Sequence, residues 1–312
     1  GISVGGIPGN RKWFGSLLGG VDHLPHTLNI GKNAFTRGLP EEDLTLADEL
    51  EKIVFLHDAS NIAAVIIEPI AGSTGVIMPP KGYLKRLREI CTKHGILLIF
   101  DEVITGFGRM GTNFGSHYFG VTPDIICFAK GVTNGTVPMG GIIVREEIYQ
   151  AFMGVNAPEY AVELFHGYTY SGHPLAAAVG HVALDALLNE GLIQRAAELA
   201  PVLEDVIHGL KDEPGVIDIR NVGLAAAVDL EGIPGKVGLR ALRTFEAGIE
   251  EGLMLRFTAD TIAMGPPFIS TRDEIEALGE KLRRVSQRAL GIVYPMAVSR
   301  PPVHTNRYHV HL

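Results

Sequence analysis

Short apolar runs alternate with one amphipathic segment between residues 62 and 145. The runs have the length of strands and carry no charge, and they cover residues 63–67, 96–100, 125–128 and 141–144. Between the first two, apolar residues recur at helical spacing after Pro79-Pro80 and before Gly95, which predicts a helix. Strands joined by a crossover helix are typical of a parallel sheet. The sequence therefore predicts an α/β fold.

The C-terminal part of the chain follows a different pattern. Pro174 begins a long Ala-rich helix that reaches Glu190, with Gly191 to close it. Residues 192–290 predict two more helices, strands over 216–219 and 224–230, and a last helix entered through a capping-box pattern at 271–274. We therefore expect a large domain over residues 1–188, a smaller α+β domain over 189–290 and a tail over 291–312.

Composition narrows the partners and the compartment. The 312 residues carry a net charge of -8 and no long basic run, which argues against nucleic acid or an anionic membrane as the partner. Two cysteines, Cys91 and Cys127, are too few for a disulfide framework and lie in apolar patterns, so we expect the cytoplasm. No apolar run approaches the roughly 20 residues of a membrane helix. The N-terminus has no starting Met and no signal core, and reads like the interior of a longer chain.

Two polar residues follow neighbouring predicted strands. Asp101 comes directly after one strand, and Lys130 follows the next one after Ala129. Ligands of open α/β sheets bind at the carboxyl ends of the strands, so both residues are expected at that edge. Each residue alone has a plainer interpretation, because a strand-end aspartate is often a solvated cap and a lysine after a strand is usually surface charge. Together they are the two groups that a pyridoxal cofactor needs: an amine for its aldehyde and a carboxylate for its ring nitrogen.

Several longer motifs resemble the class III aminotransferases. They are Glu-Pro-Ile at 68–70, Phe-Asp-Glu-Val-Ile-Thr-Gly-Phe-Gly-Arg at 100–109, Thr-Pro-Asp at 122–124, Ala-Lys-Gly-Val-Thr-Asn-Gly at 129–135, Pro-Met-Gly at 138–140 and His-Gly-Tyr-Thr-Tyr-Ser-Gly-His-Pro at 166–174. Within that family, these motifs most resemble those of the omega-amino acid (β-alanine):pyruvate aminotransferases. The resemblance implies the type I fold of enzymes that depend on pyridoxal 5'-phosphate. It also implies a ping-pong transfer of the amino group, in which the cofactor alternates between its pyridoxal and pyridoxamine forms.

The resemblance also implies roles for individual residues. Lys130 would bond the cofactor aldehyde, and Asp101 would hold the pyridine nitrogen. The other residues implied to contact the cofactor are Val103, on one face of the ring, Ile104, Glu68, Tyr168 and Thr169. Thr169 would bind the cofactor phosphate of the neighbouring subunit, which makes a homodimer necessary and leaves a tetramer open. Arg256 would pair with a substrate carboxylate, although an arginine after a strand is more often a surface residue.

Departures from the family pattern narrow the branch and leave alternatives open. Members acting on γ-aminobutyrate-like substrates carry glutamine at the position of Ile104 and glutamate at that of Ser73, so this chain favours the pyruvate-linked branch. The family's glycine- and serine-rich phosphate loop and its stacking aromatic precede the position of Gly1. The alternatives are another class III chemistry (aminomutase, racemase or decarboxylase) and a non-catalytic fragment. Metal ligation is considered only for the histidines at 304, 309 and 311, and a passive tail is the expectation there.

Overall fold

A computed structural model of the chain describes residues 1–154, 158–160 and 164–291. Its secondary structure is organised around two four-stranded sheets, one in each part of the chain. The helices that precede the first C-terminal strand are α1 (Pro8–Arg11), α2 (Ile30–Asn33), α3 (Thr45–His57), α4 (Tyr83–His94), α5 (Gly115–Phe119), α6 (Glu146–Met153), α7 (Pro174–Asn189) and α8 (Leu192–His208). The remaining two are α9 (Leu239–Glu250) and α10 (Arg272–Ala289).

The N-terminal sheet carries the strand ends of interest. Its order is β1-β2-β3-β4, with β1 (Ala64–Ile67), β2 (Leu97–Asp101), β3 (Ile125–Ala129) and β4 (Gly140–Val144). β1, β2 and β3 are parallel, as expected, whereas β4 is antiparallel to β3. Residues 130–139 are too few for a crossover, which takes about a dozen residues, so the chain turns back instead.

The helix predicted between β1 and β2 is α4. Gly95 ends it in the left-handed region at φ 68°, and its apolar face packs on α3 and the sheet. Leu87, Ile90, Leu98 and Phe100 are completely buried in the resulting core. The register of β1 and β2 is thereby held, because one face of each of these two strands packs into that core.

The C-terminal sheet is wholly antiparallel. Its order is β5-β6-β8-β7, with β5 (Val216–Val222), β6 (Ala225–Leu230), β8 (Thr261–Met264) and β7 (Arg256–Thr258). α8, α9 and α10 enclose a second core with it, and the predicted capping box of Thr271 and Glu274 is present at the start of α10.

Several predicted bounds differ from the structure. The strands predicted from 63, 96, 141 and 224 begin at 64, 97, 140 and 225 instead, and β7 and β8 were not predicted. Arg256 does not follow a strand but begins β7. The domain boundary at 188 and 189 stays a prediction, and residues 292–312 of the predicted tail, with their three histidines, lie outside the described residues. Over the described ranges no single helix is long and apolar enough to cross a membrane. α7 and α8, which meet at a bend of 61°, have the required length and composition only when they are taken together.

Candidate active site

Three ionisable side chains meet at the carboxyl edge of the N-terminal sheet. Ile67 pairs with Phe100 and Asp101 pairs with Cys127, so Glu68 after β1 lies beside Asp101 at the end of β2. Lys130 follows the last residue of β3 at the same edge. The charges of Glu68 and Asp101 both act on the Lys130 amine. The predicted proximity of Lys130 and Asp101 follows from the parallel register.

Lys130 adopts a backbone conformation that is uncommon for a residue with a side chain. Its φ is +49°, and it opens a short 3-10 turn over Lys130–Thr133. Gly131 permits this turn, because a Cβ at Gly131 would lie 2.7 Å from the Cβ of Phe107. Phe107, at φ +58°, is itself held between Phe114 and Phe128, whose ring centroids lie 5.2 and 5.9 Å away. Packing of Phe107 against the Lys130–Thr133 turn therefore sets the direction in which the Lys130 side chain leaves the backbone.

The electrostatics favour a reactive amine. Desolvation by the surrounding protein lowers the pKa of Lys130, even though the side chain remains reachable by solvent. Asp101 and Glu68 oppose this shift, and the positive charge of Arg256 adds to it. Lowering the pKa of the amine increases its neutral fraction near pH 7, and only the neutral amine is a nucleophile or a base.

Asp101 is the last residue of β2 and is half-buried. Its Oδ1 accepts a hydrogen bond of 3.1 Å from the backbone N–H of Val103, which directs the carboxylate. Among the residues that the structure describes, no donor bonds its Oδ2. One carboxylate oxygen is therefore available to a ligand.

Glu68 is a half-buried carboxyl at the same edge. Its Oε2 accepts a hydrogen bond of 3.0 Å from the N–H of Gly72. Burial raises the pKa of Glu68, Asp101 raises it further, and Gly72 and Lys130 act in the opposite direction. Glu68 thus ties the loop after β1 to the site.

Glu102, next to Asp101, anchors the turn after β2 and the start of α5. No role was predicted for it from the sequence. It is fully buried and accepts hydrogen bonds from Thr105 Oγ1 at 2.7 Å and from the N–H groups of Gly115 and Ser116 at 2.5 and 2.7 Å. These two amides open α5, whose N-terminus is otherwise uncapped by a side chain. A glutamate next to the strand-end Asp101 was the only sequence signal for this anchor.

Arg256 reaches the site from the C-terminal sheet. It is exposed at the start of β7, and its charge acts on Lys130. A guanidinium near a reactive amine can pair with a carboxylate of a molecule bound between them.

The remaining predicted residues divide into two groups. Val103 and Ile104 lie in the turn after Asp101, where Ile104 packs so tightly on Gly72 that a Cβ there would lie 2.7 Å from its Cδ1. Tyr168 and Thr169 are exposed. Within the described part of the chain, neither makes a hydrogen bond to Lys130, Asp101 or Glu68. Val103 and Ile104 therefore lie beside Asp101, and the cofactor contacts of all four residues stay predictions.

The donor set fits pyridoxal phosphate. Lys130 offers a primary amine of lowered pKa to an aldehyde, and Asp101 offers a free carboxylate oxygen to a protonated ring nitrogen. Across residues 1–154, 158–160 and 164–291, no group of His, Cys, Asp and Glu could hold a metal ion.

Several known proteins are similar to this chain over most of its length. The family model of aminotransferase class III matches residues 2–285. An omega-aminotransferase of Caulobacter vibrioides is 57% identical over 286 residues, which cover 91% of this chain and 64% of the relative. A beta-alanine–pyruvate aminotransferase of Pseudomonas aeruginosa is 54% identical over 294 residues, which cover 92% and 64%. The omega transaminase from Pseudomonas jessenii in complex with PMP matches with a TM-score of 0.83 at 32% identity, over 93% of this chain and 66% of that one. The chain thus spans 64% of the length of these two curated relatives.

Proposed function

Because the chain belongs to the class III aminotransferases, we propose that the protein moves an amino group from an ω-amino acid or a primary amine to pyruvate, with pyridoxal 5'-phosphate as its cofactor. The observation that carries the proposal is the Lys130 amine beside the Asp101 carboxylate at one sheet edge. The relative that acts on β-alanine and pyruvate supports both the donor class and the acceptor. The activity of the whole protein is part of the proposal, since the chain spans 64% of that relative.

Each residue of the site has a separate task. When bound, pyridoxal phosphate supplies an aldehyde that bonds amines and a protonated ring that withdraws electrons from the substrate. Lys130 would hold the cofactor through that aldehyde, and its neutral amine would take the proton from the carbon that carries the donor amino group. Asp101 would keep the ring nitrogen protonated through its free oxygen.

The other half-buried residues shape the place where the ring binds. Val103 would pack on one face of the ring, and Ile104 packs on Gly72 beside it. Glu68 holds the Gly72 loop in place and contributes negative charge near Lys130.

The test of the proposed reaction is a half-reaction without an acceptor. The protein loaded with pyridoxal phosphate is mixed with L-alanine alone, which is the product of amino transfer to pyruvate and therefore a donor in the reverse direction. The cofactor absorbance, the carbonyl product (pyruvate) and carbon dioxide are measured. We expect about one carbonyl product per loaded site and no carbon dioxide. Carbon dioxide would indicate a decarboxylase, and a rearranged or racemised amine without a carbonyl product would indicate an aminomutase or racemase. A chain that never takes up the cofactor would be a non-catalytic fragment.

Arg256→Ala is expected to distinguish donors with a carboxylate from donors without one. In the half-reaction, the half-saturating concentration of β-alanine should rise by tens-fold, because a charge-assisted contact of about 2 kcal/mol is lost. The value for benzylamine should change little. Arg272→Ala is a suitable control, because the Arg272 side chain is 66% exposed and its ion-pair partner, Glu276, lies 3.7 Å away. Equal losses for both donors would show that Arg256 is structural or surface charge.

We propose a homodimer in which Thr169, with Tyr168 beside it, binds the cofactor phosphate of the neighbouring subunit. Both residues are exposed in the single chain, which supports a role outside their own site. Mixing subunits that carry Lys130→Ala with subunits that carry Thr169→Ala should restore activity, because each mixed dimer has one site with both residues. Statistical mixing in a two-fold dimer gives roughly a quarter of the sites. Recovery no greater than the sum of the two separate variants would place Thr169 in the site of its own chain or outside it.

The proposed partners are small molecules, an amine donor and a keto acid. The net charge of -8 supports this over a nucleic acid or an anionic membrane. The proposed compartment is the cytoplasm, supported by the two free cysteines, Cys91 and Cys127.

A further inference from the structure

Residues 71–77 form a tight loop between the two sheets, which we call the clamp loop. Its ends are paired, since the N–H of Ala71 bonds Ile77 at 3.1 Å and the N–H of Ile77 bonds Ala71 at 3.0 Å. Inside the loop, the N–H groups of Gly75 and Val76 both donate to the carbonyl of Gly72 at 3.2 Å. Because these two sets of internal hydrogen bonds make the loop rigid, a shift of one side of the loop also moves the other side.

One side of the clamp loop is attached to the active site. Gly72 donates to the carboxylate of Glu68, and the side chain of Ile104 leaves no space for a Cβ at Gly72. Both partners lie beside strand ends that carry the site, at β1 and β2. Movement of this side of the loop would therefore move the residues around Lys130 and Asp101.

The other side is attached to the C-terminal sheet. Arg220 donates to the carbonyl of Gly75 from Nη2 at 2.9 Å and from Nε at 3.1 Å. Arg220 is held in turn by Asp218 and Asp229, and all three side chains are buried. Gly75, at φ +112°, fits so closely that a Cβ would lie 2.7 Å from Cγ2 of Thr261.

A separate bond joins the clamp loop to the strand of Arg256. The hydroxyl of Thr258 donates to the carbonyl of Ser73 at 3.0 Å. Side chains two residues apart on a strand point to the same face, so Thr258 and Arg256 share one face of β7. Phe257 points the other way and packs on Phe245 of α9, with ring centroids 5.4 Å apart. The face that carries Arg256 is therefore the one that the clamp loop holds.

We propose that Thr258 is a positioning residue, which fixes Arg256 at the distance from Lys130 that a carboxylate-bearing donor requires. β7 is a three-residue edge strand that pairs, within the described part of the chain, with β8 alone, so its own sheet holds it weakly. The bond to Ser73 supplies a second attachment, on the side of the active site. The clamp loop thereby sets the specificity for ω-amino acids over simple amines, and this inference rests on the function proposed above.

The test uses the half-reaction of the loaded protein with Thr258→Val, which removes the hydroxyl and keeps the shape. The half-saturating concentration of β-alanine should rise about three- to tenfold, because the variant loses one hydrogen bond. The maximal rate with β-alanine should stay near that of the unaltered protein, and so should the half-saturating concentration and the maximal rate with benzylamine. Thr258→Ser keeps the hydroxyl and should restore β-alanine saturation. Thr244→Val is the matched control, because it removes a hydroxyl that, among the described residues, bonds just the carbonyl of Arg240 within α9, at 3.1 Å.

A double variant separates this inference from the proposed function. If Thr258 acts through Arg256, then Thr258→Val should add nothing in the Arg256→Ala protein. A selective loss of β-alanine binding in Arg256→Ala, but none in Thr258→Val, would overturn the positioning role alone. Equal loss of both donors in Thr258→Val, or no rescue by Thr258→Ser, would also overturn it. No selectivity in Arg256→Ala would overturn both this inference and the carboxylate role proposed for Arg256.

Discussion

Lys130→Ala should abolish covalent attachment of pyridoxal phosphate and lower turnover by at least about 10³-fold, since the general base is lost together with the nucleophile. The fold should remain, because the side chain is exposed and makes no hydrogen bond or ion pair among the described residues. Alanine has a Cβ as lysine does, so the left-handed turn is strained to a similar degree in both. The measurement is cofactor absorbance, with borohydride reduction and mass spectrometry to identify the lysine that carries the cofactor.

Lys93→Ala is the matched control for this prediction. The Lys93 side chain is 63% exposed and lies 2.9 Å from Glu51, so its loss should affect neither cofactor nor turnover. Since burial lowers the pKa of Lys130, its amine should also react with an acylating reagent at a lower pH than a free lysine amine does. A reduced cofactor found on another lysine, or near-normal turnover without Lys130, would contradict the assignment.

Asp101→Asn should bind the cofactor yet lose at least about 10²-fold in the rate of the half-reaction. A neutral amide cannot hold a proton on the ring nitrogen, so the ring would withdraw electrons less strongly. The amide oxygen can still accept the N–H of Val103, and the local turn should therefore persist. The rate is measured by stopped-flow mixing with β-alanine, and cofactor retention is measured after dialysis.

Asp101→Glu separates charge from size at this position. It keeps the negative charge one methylene further out, so it should retain more activity than the asparagine variant. Near-normal rates in Asp101→Asn would show that the ring nitrogen needs no carboxylate, and would remove the electron-withdrawing role from Asp101.

The arrangement of the N-terminal sheet could be predicted because its strands are continuous apolar runs. Parallel β1, β2 and β3 end at one edge, and this was enough to place Asp101 and Lys130 together before any contact was known. Gly95 and the capping box of α10 marked helix ends by local chemistry, which sequence records directly. The comparisons with known proteins confirm the resemblance to class III aminotransferases and the type I fold that it implies.

Features that depend on distant contacts could not be predicted. The bond from Thr258 to Ser73 joins residues 185 positions apart, and no periodicity records such a pairing. Asp218, Arg220 and Asp229 are buried ion-pair partners, and no local pattern in the sequence indicates that they pair with one another. β7 and β8 are short and mix polar with apolar residues, so they lack a strand pattern of their own.

The left-handed backbone conformation at Lys130 could not be predicted either. The left-handed turn depends on Gly131 lying against Phe107, and on the aromatic residues that hold Phe107. The sequence Ala-Lys-Gly marks the position but not the reason for the glycine. The roles of Val103, Ile104, Tyr168, Thr169 and Arg256 came from the family resemblance, and they stay predictions.

Transfer of labelled nitrogen tests the central claim most directly. The protein loaded with pyridoxal phosphate is incubated with ¹⁵N-β-alanine and unlabelled pyruvate, and the amino acids formed are analysed by mass spectrometry. The proposed function predicts ¹⁵N-alanine in an amount equal to the β-alanine consumed, with none formed by the Lys130→Ala protein. Consumption of β-alanine without labelled alanine, or no reaction by protein that has taken up the cofactor, would contradict it.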